Sequence, residues 1–146
     1  MTEQWTLCLF GDAGDRAEEA LGPGACVLRG FALADEQPLL ADLAQLIAAS
    51  PLRHMITPGG FRMSVAMTNC GALGWVSDRA GYRYTSLDPE RGCAWPEMPP
   101  SFLRLATAAA TRAGFGEFVP DACLINRYEP GARLTLHQDL TFRKAG

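Results

Sequence analysis

The sequence predicts a mixed α+β fold, because stretches with helical spacing of apolar residues alternate with stretches that have the period of strands. Of the 146 residues, 48% are hydrophobic and 20% are charged, as in an ordinary globular domain. No run of about 18 apolar residues is present, so a membrane span is not expected. The net charge of −3 argues against a protein that coats nucleic acid by electrostatics alone.

The first two thirds of the chain contain both helix and strand signals. We expect a strand over Ala25–Phe31, followed by a helix from Asp35 to Ser50. A turn at Thr57–Gly60 then precedes a half-buried strand over Arg62–Asn69, which forms a hairpin around that turn. A second helix is expected over Ser101–Ala113, with Gly114 as its C-terminal stop. Between Cys70 and Pro100, glycines and prolines alternate with aromatic residues, which predicts a long loop-rich region rather than a packed element.

The last third predicts a hairpin. Two strand candidates, Ala122–Tyr128 and Arg133–Asp139, flank a Glu-Pro-Gly-Ala turn at residues 129–132. The antiparallel register then pairs Asn126 with Thr135 and Leu124 with His137. Alternation along the strands places a polar set on one face, namely Asn126, Tyr128, Arg133, Thr135, His137 and Asp139, together with Leu124.

His137 and Asp139 are candidate metal ligands. Two residues along a strand span about 7 Å and share a face, so both side chains can reach one cation. An imidazole with a carboxylate suits Fe(II), Mn(II) or Zn(II). A short His-x-Asp pattern also arises by chance, and only one other histidine, His54, is present; we interpret it as a surface or loop residue.

Several longer motifs resemble one family. They are Thr57-Pro58-Gly59-Gly60, Met63 to Gly71, Leu73-Gly74-Trp75, Pro120 to Tyr128, Pro130-Gly131-Ala132 and His137-Gln138-Asp139. Together they resemble the AlkB family of Fe(II)- and 2-oxoglutarate-dependent dioxygenases, over roughly Leu21 to Asp139. Phe61 stands where close bacterial relatives carry tyrosine.

The resemblance implies a fold and a set of site residues. The fold is an α+β incomplete double-stranded β-helix (jelly-roll) with N-terminal helices and a nucleotide-recognition lid. Its parts would be an N-terminal extension (1–20), the lid and supporting helices (21–119) and a partial dioxygenase core (120–146). The implied iron ligands and catalytic residues are His137 and Asp139. The implied 2-oxoglutarate contacts are Asn126, Arg127, Tyr128 and Arg143, and the implied substrate contacts are Thr57, Met63, Trp75, Tyr82, Arg83 and Tyr84. Without the resemblance, Trp75 and Tyr82 would be interpreted as core or loop aromatics.

The resemblance also implies an activity. Fe(2+), 2-oxoglutarate and O2 would serve to demethylate bases of the 1-methyladenine and 3-methylcytosine type, in single-stranded or unpaired alkylated DNA or in RNA, for DNA repair. We expect a cytoplasmic monomer.

The resemblance is interrupted near the end of the chain. Leu140 to Gly146 resembles the family's extreme C-terminus, so most of the jelly-roll and its distal iron histidine are expected to be missing after Asp139. The alternative is a non-catalytic, internally deleted fragment with residual nucleic-acid or weak metal binding.

Five cysteines, odd in number and without a Cys-x-x-Cys spacing, argue against a disulfide framework or a zinc finger. We expect buried or half-buried free thiols.

Overall fold

The computed structural model describes residues 18–135, and within them the fold is mixed helix and sheet. Its elements in chain order are β1 (Glu18–Gly22), β2 (Ala25–Leu28), α1 (Glu36–Ala49), β3 (Ala66–Gly71), β4 (Gly74–Asp78), β5 (Gly81–Thr85), α2 (Pro100–Arg112) and β6 (Ala122–Arg127). Over this range the strands pair antiparallel as three two-stranded sheets, β1–β2, β3–β6 and β4–β5. The predicted first strand is therefore shorter than expected, because the chain turns after Leu28.

Both predicted helices are confirmed to within a residue or two of their ends. The helix α1 ends at Ala49, and the backbone N–H of the next residue, Ser50, donates to the Leu46 carbonyl. Pro100 is the first residue of α2, a position at which a proline loses no helical hydrogen bond. The two helices contact each other, and the Ser101 hydroxyl donates to the Asp42 carboxylate. The sequence predicted both helices correctly because the signals of a helix, its apolar spacing and its end residues, all lie within or next to the helix itself.

The strand predicted over Arg62–Asn69 begins later and is more buried than expected. Around the predicted turn the chain forms only isolated β-bridges. Ile56 lies opposite Arg62, and Arg53 lies opposite Met67 of β3. From Ala66 to Cys70 every residue of β3 is buried. The half-buried pattern was therefore wrong for β3, because both of its faces are covered: Met67 packs in the apolar core, and the Thr68 hydroxyl is hydrogen-bonded to the buried Ser50 hydroxyl.

The predicted C-terminal hairpin is wrong over the residues that can be compared. The Glu129–Ala132 turn is confirmed: the Ala132 N–H donates to the Glu129 carbonyl over 2.8 Å, and Gly131 has φ of +88°, as a type II turn requires. However, residues 133–135 are not a strand. The partner of β6 is β3, and Asn126 lies opposite Met67 rather than Thr135. The remaining residues of the predicted second strand, 136–139, lie outside the described range.

The region predicted to be loop-rich contains the β4–β5 hairpin, so that prediction was wrong for residues 74–85. The glycines in this region had been interpreted as signs of a loop. A Cβ at Gly74 would lie under 3.0 Å from three atoms of the Trp95 indole, so this glycine permits close packing rather than a loop. The indole N–H of Trp95 in turn donates to the Thr85 carbonyl over 2.9 Å.

A small apolar core joins these segments. It consists of Met55, Val65, Met67, Val76 and Trp95. Beside it, Arg53 donates to both carboxylate oxygens of Asp88 at 2.8 Å and lies over the Trp95 ring, 5.3 Å from its centroid. Burial raises the pKa of Asp88, but the Arg53 guanidinium and the backbone N–H groups of Glu90 and Arg91 outweigh burial and hold that pKa below its ordinary value.

Two further expectations concern cysteines and membrane spans. Cys26, Cys70, Cys93 and Cys123 are free thiols, as predicted, although Cys93 is exposed. Cys8 lies outside the described range. Among residues 18–135, no helix is long and apolar enough to cross a bilayer.

Candidate functional site

Three of the four residues predicted to contact 2-oxoglutarate, Asn126, Arg127 and Tyr128, follow one another at the end of β6. Along this strand, Cys123 and Ile125 are half-buried, whereas Leu124 and Asn126 are exposed, so the predicted alternation of faces is found. Tyr128, just beyond the strand, is 52% exposed. Arg127 forms an ion pair with Glu129 at 3.1 Å, so its guanidinium is already partnered. The site thus offers an amide and a phenol side by side.

Asn69 links the β3–β6 sheet to the aromatic hairpin. It is fully buried, and its side-chain amide donates to the Trp75 carbonyl while its amide oxygen accepts from the Trp75 N–H, both at 2.9 Å. Sequence reasoning gave Asn69 no functional role. A polar residue inside a buried apolar strand was the only available signal, because such a group needs hydrogen-bond partners.

The strand register places Asn69 on the same side of the β3–β6 sheet as Asn126, a predicted 2-oxoglutarate contact. Asn69 lies opposite Leu124, and Met67 lies opposite Asn126. Directly opposed residues share a face, so Asn69 and Asn126 point to the same side of the β3–β6 sheet. Trp75, held by Asn69, is therefore attached on that side.

The predicted base-contacting aromatics form one face of the β4–β5 hairpin. Trp75 lies opposite Tyr84, and Tyr82 lies two pairs further along, opposite Ser77. The Trp75 and Tyr82 rings stack on each other, with centroids 5.6 Å apart and planes inclined by 17°. Both tyrosines are 48% exposed. A ligand can therefore reach Tyr82 and Tyr84, whereas Trp75 is half-buried and packs against the apolar core. The surfaces between the stacked Trp75 and Tyr82 rings are occupied.

Arg83 points to the opposite face of the same hairpin. It forms a two-pronged pair with Asp78, at 2.9 and 2.8 Å. The guanidinium, together with the Ala80 N–H, holds the pKa of the Asp78 carboxyl below its ordinary value. The structure thus separates Arg83 from the aromatic residues with which it was grouped.

Thr57 and Met63 lie near the turn before β3. The Thr57 hydroxyl accepts from the Phe61 N–H over 3.1 Å, which closes the turn, and Met63 packs against the apolar core. His54, predicted as a loop residue, lies there and is half-buried, with its Nδ1 2.9 Å from the Met63 carbonyl oxygen. In this arrangement Thr57 and Met63 stabilise the loop.

The predicted iron ligands, His137 and Asp139, and the predicted clamp residue Arg143 lie outside the described residues. Within 18–135, no group of three or more His, Cys, Asp or Glu side chains could hold a metal ion. Of the predicted site, the described part therefore contains the aromatic residues and three of the four cosubstrate residues.

Comparison with known proteins defines the class. The model of the 2OG-Fe(II) oxygenase superfamily matches residues 24–145. The chain therefore belongs to this superfamily and, by its similarity to the relatives below, to the AlkB family within it. Fe(2+), 2-oxoglutarate and O2 are the cofactors of this family.

Among curated proteins, the chain is 53% identical to the alpha-ketoglutarate-dependent dioxygenase AlkB of Escherichia coli and 57% identical to that of Salmonella typhimurium, each over 133 residues. These matches cover 91% of the chain and 61% of each relative. An AlkB homolog of Caulobacter vibrioides is 50% identical over 90 residues, which is 62% of the chain and 39% of the relative. The chain thus spans about three fifths of the first two proteins.

The described residues fit 2-oxoglutarate in the chemistry of their donors. A dicarboxylate is bound by hydrogen-bond donors, and the Asn126 amide and the Tyr128 hydroxyl are exposed donors two residues apart. Arg127 adds a cation that would have to leave Glu129 to take part.

Proposed function

We propose that this chain carries the cosubstrate and nucleotide-binding parts of an enzyme that demethylates alkylated nucleic-acid bases by oxidation. The substrates would be bases of the 1-methyladenine and 3-methylcytosine type in single-stranded or unpaired DNA, or in RNA, and the role would be DNA repair. When bound, Fe(2+), 2-oxoglutarate and O2 supply the oxidant for the N-methyl carbon, with succinate and CO2 as by-products.

One observation carries the proposal. Asn126, the proposed 2-oxoglutarate contact, and Trp75, the proposed base contact, lie on the same side of the β3–β6 sheet because Asn69 joins β3 to Trp75. A base bound on the aromatic face could then project its alkyl group toward the cosubstrate. The Trp75–Tyr82 pair offers an extended π surface, and a methylated base that carries positive charge gains stacking and cation–π attraction there.

The assignments divide between two regions. Asn126 and Tyr128 would hold 2-oxoglutarate, with Arg127 and Arg143 supplying cations for its carboxylates. His137 and Asp139 would ligate the iron. Trp75, Tyr82 and Tyr84 would bind the base, and Arg83, Met63 and Thr57 would support the lid. The β3–β6 sheet would be part of the incomplete jelly-roll. We retain the proposal of a cytoplasmic monomer.

Binding to a methylated single-stranded oligonucleotide tests the base contact. Stacking on an aromatic side chain contributes about 1 to 3 kcal/mol per base, so Trp75→Ala should weaken binding by roughly 5- to 150-fold at a fixed salt concentration. Phe118→Ala is the matched control, because Phe118 is also an exposed aromatic, 50% accessible, but lies beyond α2. Equal affinities of wild type and Trp75→Ala would refute the base contact.

A second candidate is nucleic-acid binding without turnover. A 2-His-1-carboxylate iron site needs two histidines and one carboxylate. The 146 residues contain His137 and His54, and the Nδ1 atom of His54 already contacts the Met63 carbonyl, which favours this second candidate. Succinate release distinguishes the two candidates: binding with no succinate formation supports the second.

A further inference from the structure

Two cysteines from distant parts of the chain face each other in the β3–β6 sheet. Cys70 of β3 lies directly opposite Cys123 of β6. Opposed residues in an antiparallel pair have Cα atoms about 4.5 to 5.5 Å apart, within the roughly 4.4 to 6.8 Å that a disulfide spans. The two thiols can therefore be bridged without breaking the strand pairing.

The two thiols differ in exposure and in acidity. Cys70 is fully buried, whereas Cys123 is half-buried. A side-chain hydrogen bond joins them, and it lowers the pKa of Cys123 to about 7, while the same hydrogen bond and burial raise the pKa of Cys70. A thiolate is the nucleophilic form of cysteine, so near neutral pH Cys123 is both the more reachable and the more reactive sulfur.

We propose that Cys70 and Cys123 form an oxidisable dithiol, which a hydroperoxide converts into a cross-strand disulfide. The Cys123 thiolate attacks the distal peroxide oxygen; the O–O bond breaks, hydroxide or alkoxide leaves, and Cys123 becomes a sulfenic acid. The Cys70 sulfur then attacks the Cys123 sulfur and loses its proton, the S–O bond breaks, and water leaves. The peroxide is reduced by two electrons, and the two thiols are oxidised by two.

The other described cysteines lack this arrangement. Cys26 lies opposite Ala20 in the β1–β2 sheet, and Cys93 lies exposed in the loop before Trp95. Exposure alone would make Cys93 the first to oxidise. Preferential linkage of Cys70 to Cys123 is therefore a result that the sheet register predicts and that exposure does not.

The experiment uses the full chain, treated with hydrogen peroxide at neutral pH in the presence of a metal chelator. Intact mass should fall by two hydrogen atoms, and digestion without reductant should yield one peptide pair that joins Cys70 to Cys123. The same treatment in concentrated urea is the control, because unfolding separates the strands, and the preference for this pair should be lost. A folded protein in which Cys93 or Cys26 is oxidised while Cys70 and Cys123 stay reduced would overturn the proposal.

Two single variants test the order of the steps. In Cys70→Ser, Cys123 should accumulate as a sulfenic acid that dimedone traps, because the resolving thiol is gone. In Cys123→Ser, dimedone should label neither position. Labelling of Cys70 in Cys123→Ser at the rate seen for Cys123 in the first variant would contradict the assigned roles. The mapping of the unsubstituted chain decides the linkage even if a variant fails to fold.

Discussion

Replacing Asn69 by alanine should destabilise the protein strongly and loosen Trp75. The amide makes two hydrogen bonds of 2.9 Å with the Trp75 backbone from a fully buried position. Removing it leaves one buried N–H and one buried C=O without those partners, and each such group costs about 1 to 3 kcal/mol. We therefore expect the free energy of unfolding to fall by about 2 to 5 kcal/mol.

Urea unfolding followed by circular dichroism measures this change. With a slope of about 1 to 3 kcal/mol per molar urea, the midpoint should fall by roughly 0.7 M or more. Asn126→Ala is the matched control, because Asn126 is the same residue type on the paired strand but is exposed, and its loss should change stability by less than about 0.5 kcal/mol. Near-ultraviolet circular dichroism should also lose the Trp75–Tyr82 stacking signal in Asn69→Ala. Equal midpoints for the two variants would refute the role assigned to Asn69.

Three further outcomes are expected. Gly74→Ala should lower the unfolding free energy by about 1 to 3 kcal/mol because its methyl group would collide with Trp95, whereas Gly116→Ala, with open space around it, should not; similar urea midpoints would contradict the close packing. Titration with Mn(II) should show weaker binding in His137→Ala than in His54→Ala, and equal weakening by both would argue against the proposed iron ligand. A preparation whose mass matches 146 residues should release succinate from 2-oxoglutarate far more slowly than an intact relative, since its sequence has one histidine beyond His54; comparable turnover would overturn this expectation.

Much of the local structure could be predicted from the sequence, whereas the roles of the site residues stay predictions. The bounds of α1 and α2 and the turn at 129–132 depend on residues within a few positions of each other, so their signals are contiguous. The resemblance to the AlkB family also groups Asn126 and Tyr128 with Trp75 and Tyr82 in one predicted site. The iron ligands His137 and Asp139 stay a prediction.

The sequence by itself determined the family, the two helices and the alternation of faces along β6. Only the tertiary structure decided which strand pairs with β6, that glycine-rich residues 74–85 form a hairpin, and that Asn69 holds Trp75. The physical reason is sequence separation. Cys70 and Cys123 lie opposite each other although more than fifty residues separate them in the sequence. Such pairing depends on which surfaces the whole chain can bury together, and the local spacing of apolar residues does not specify this.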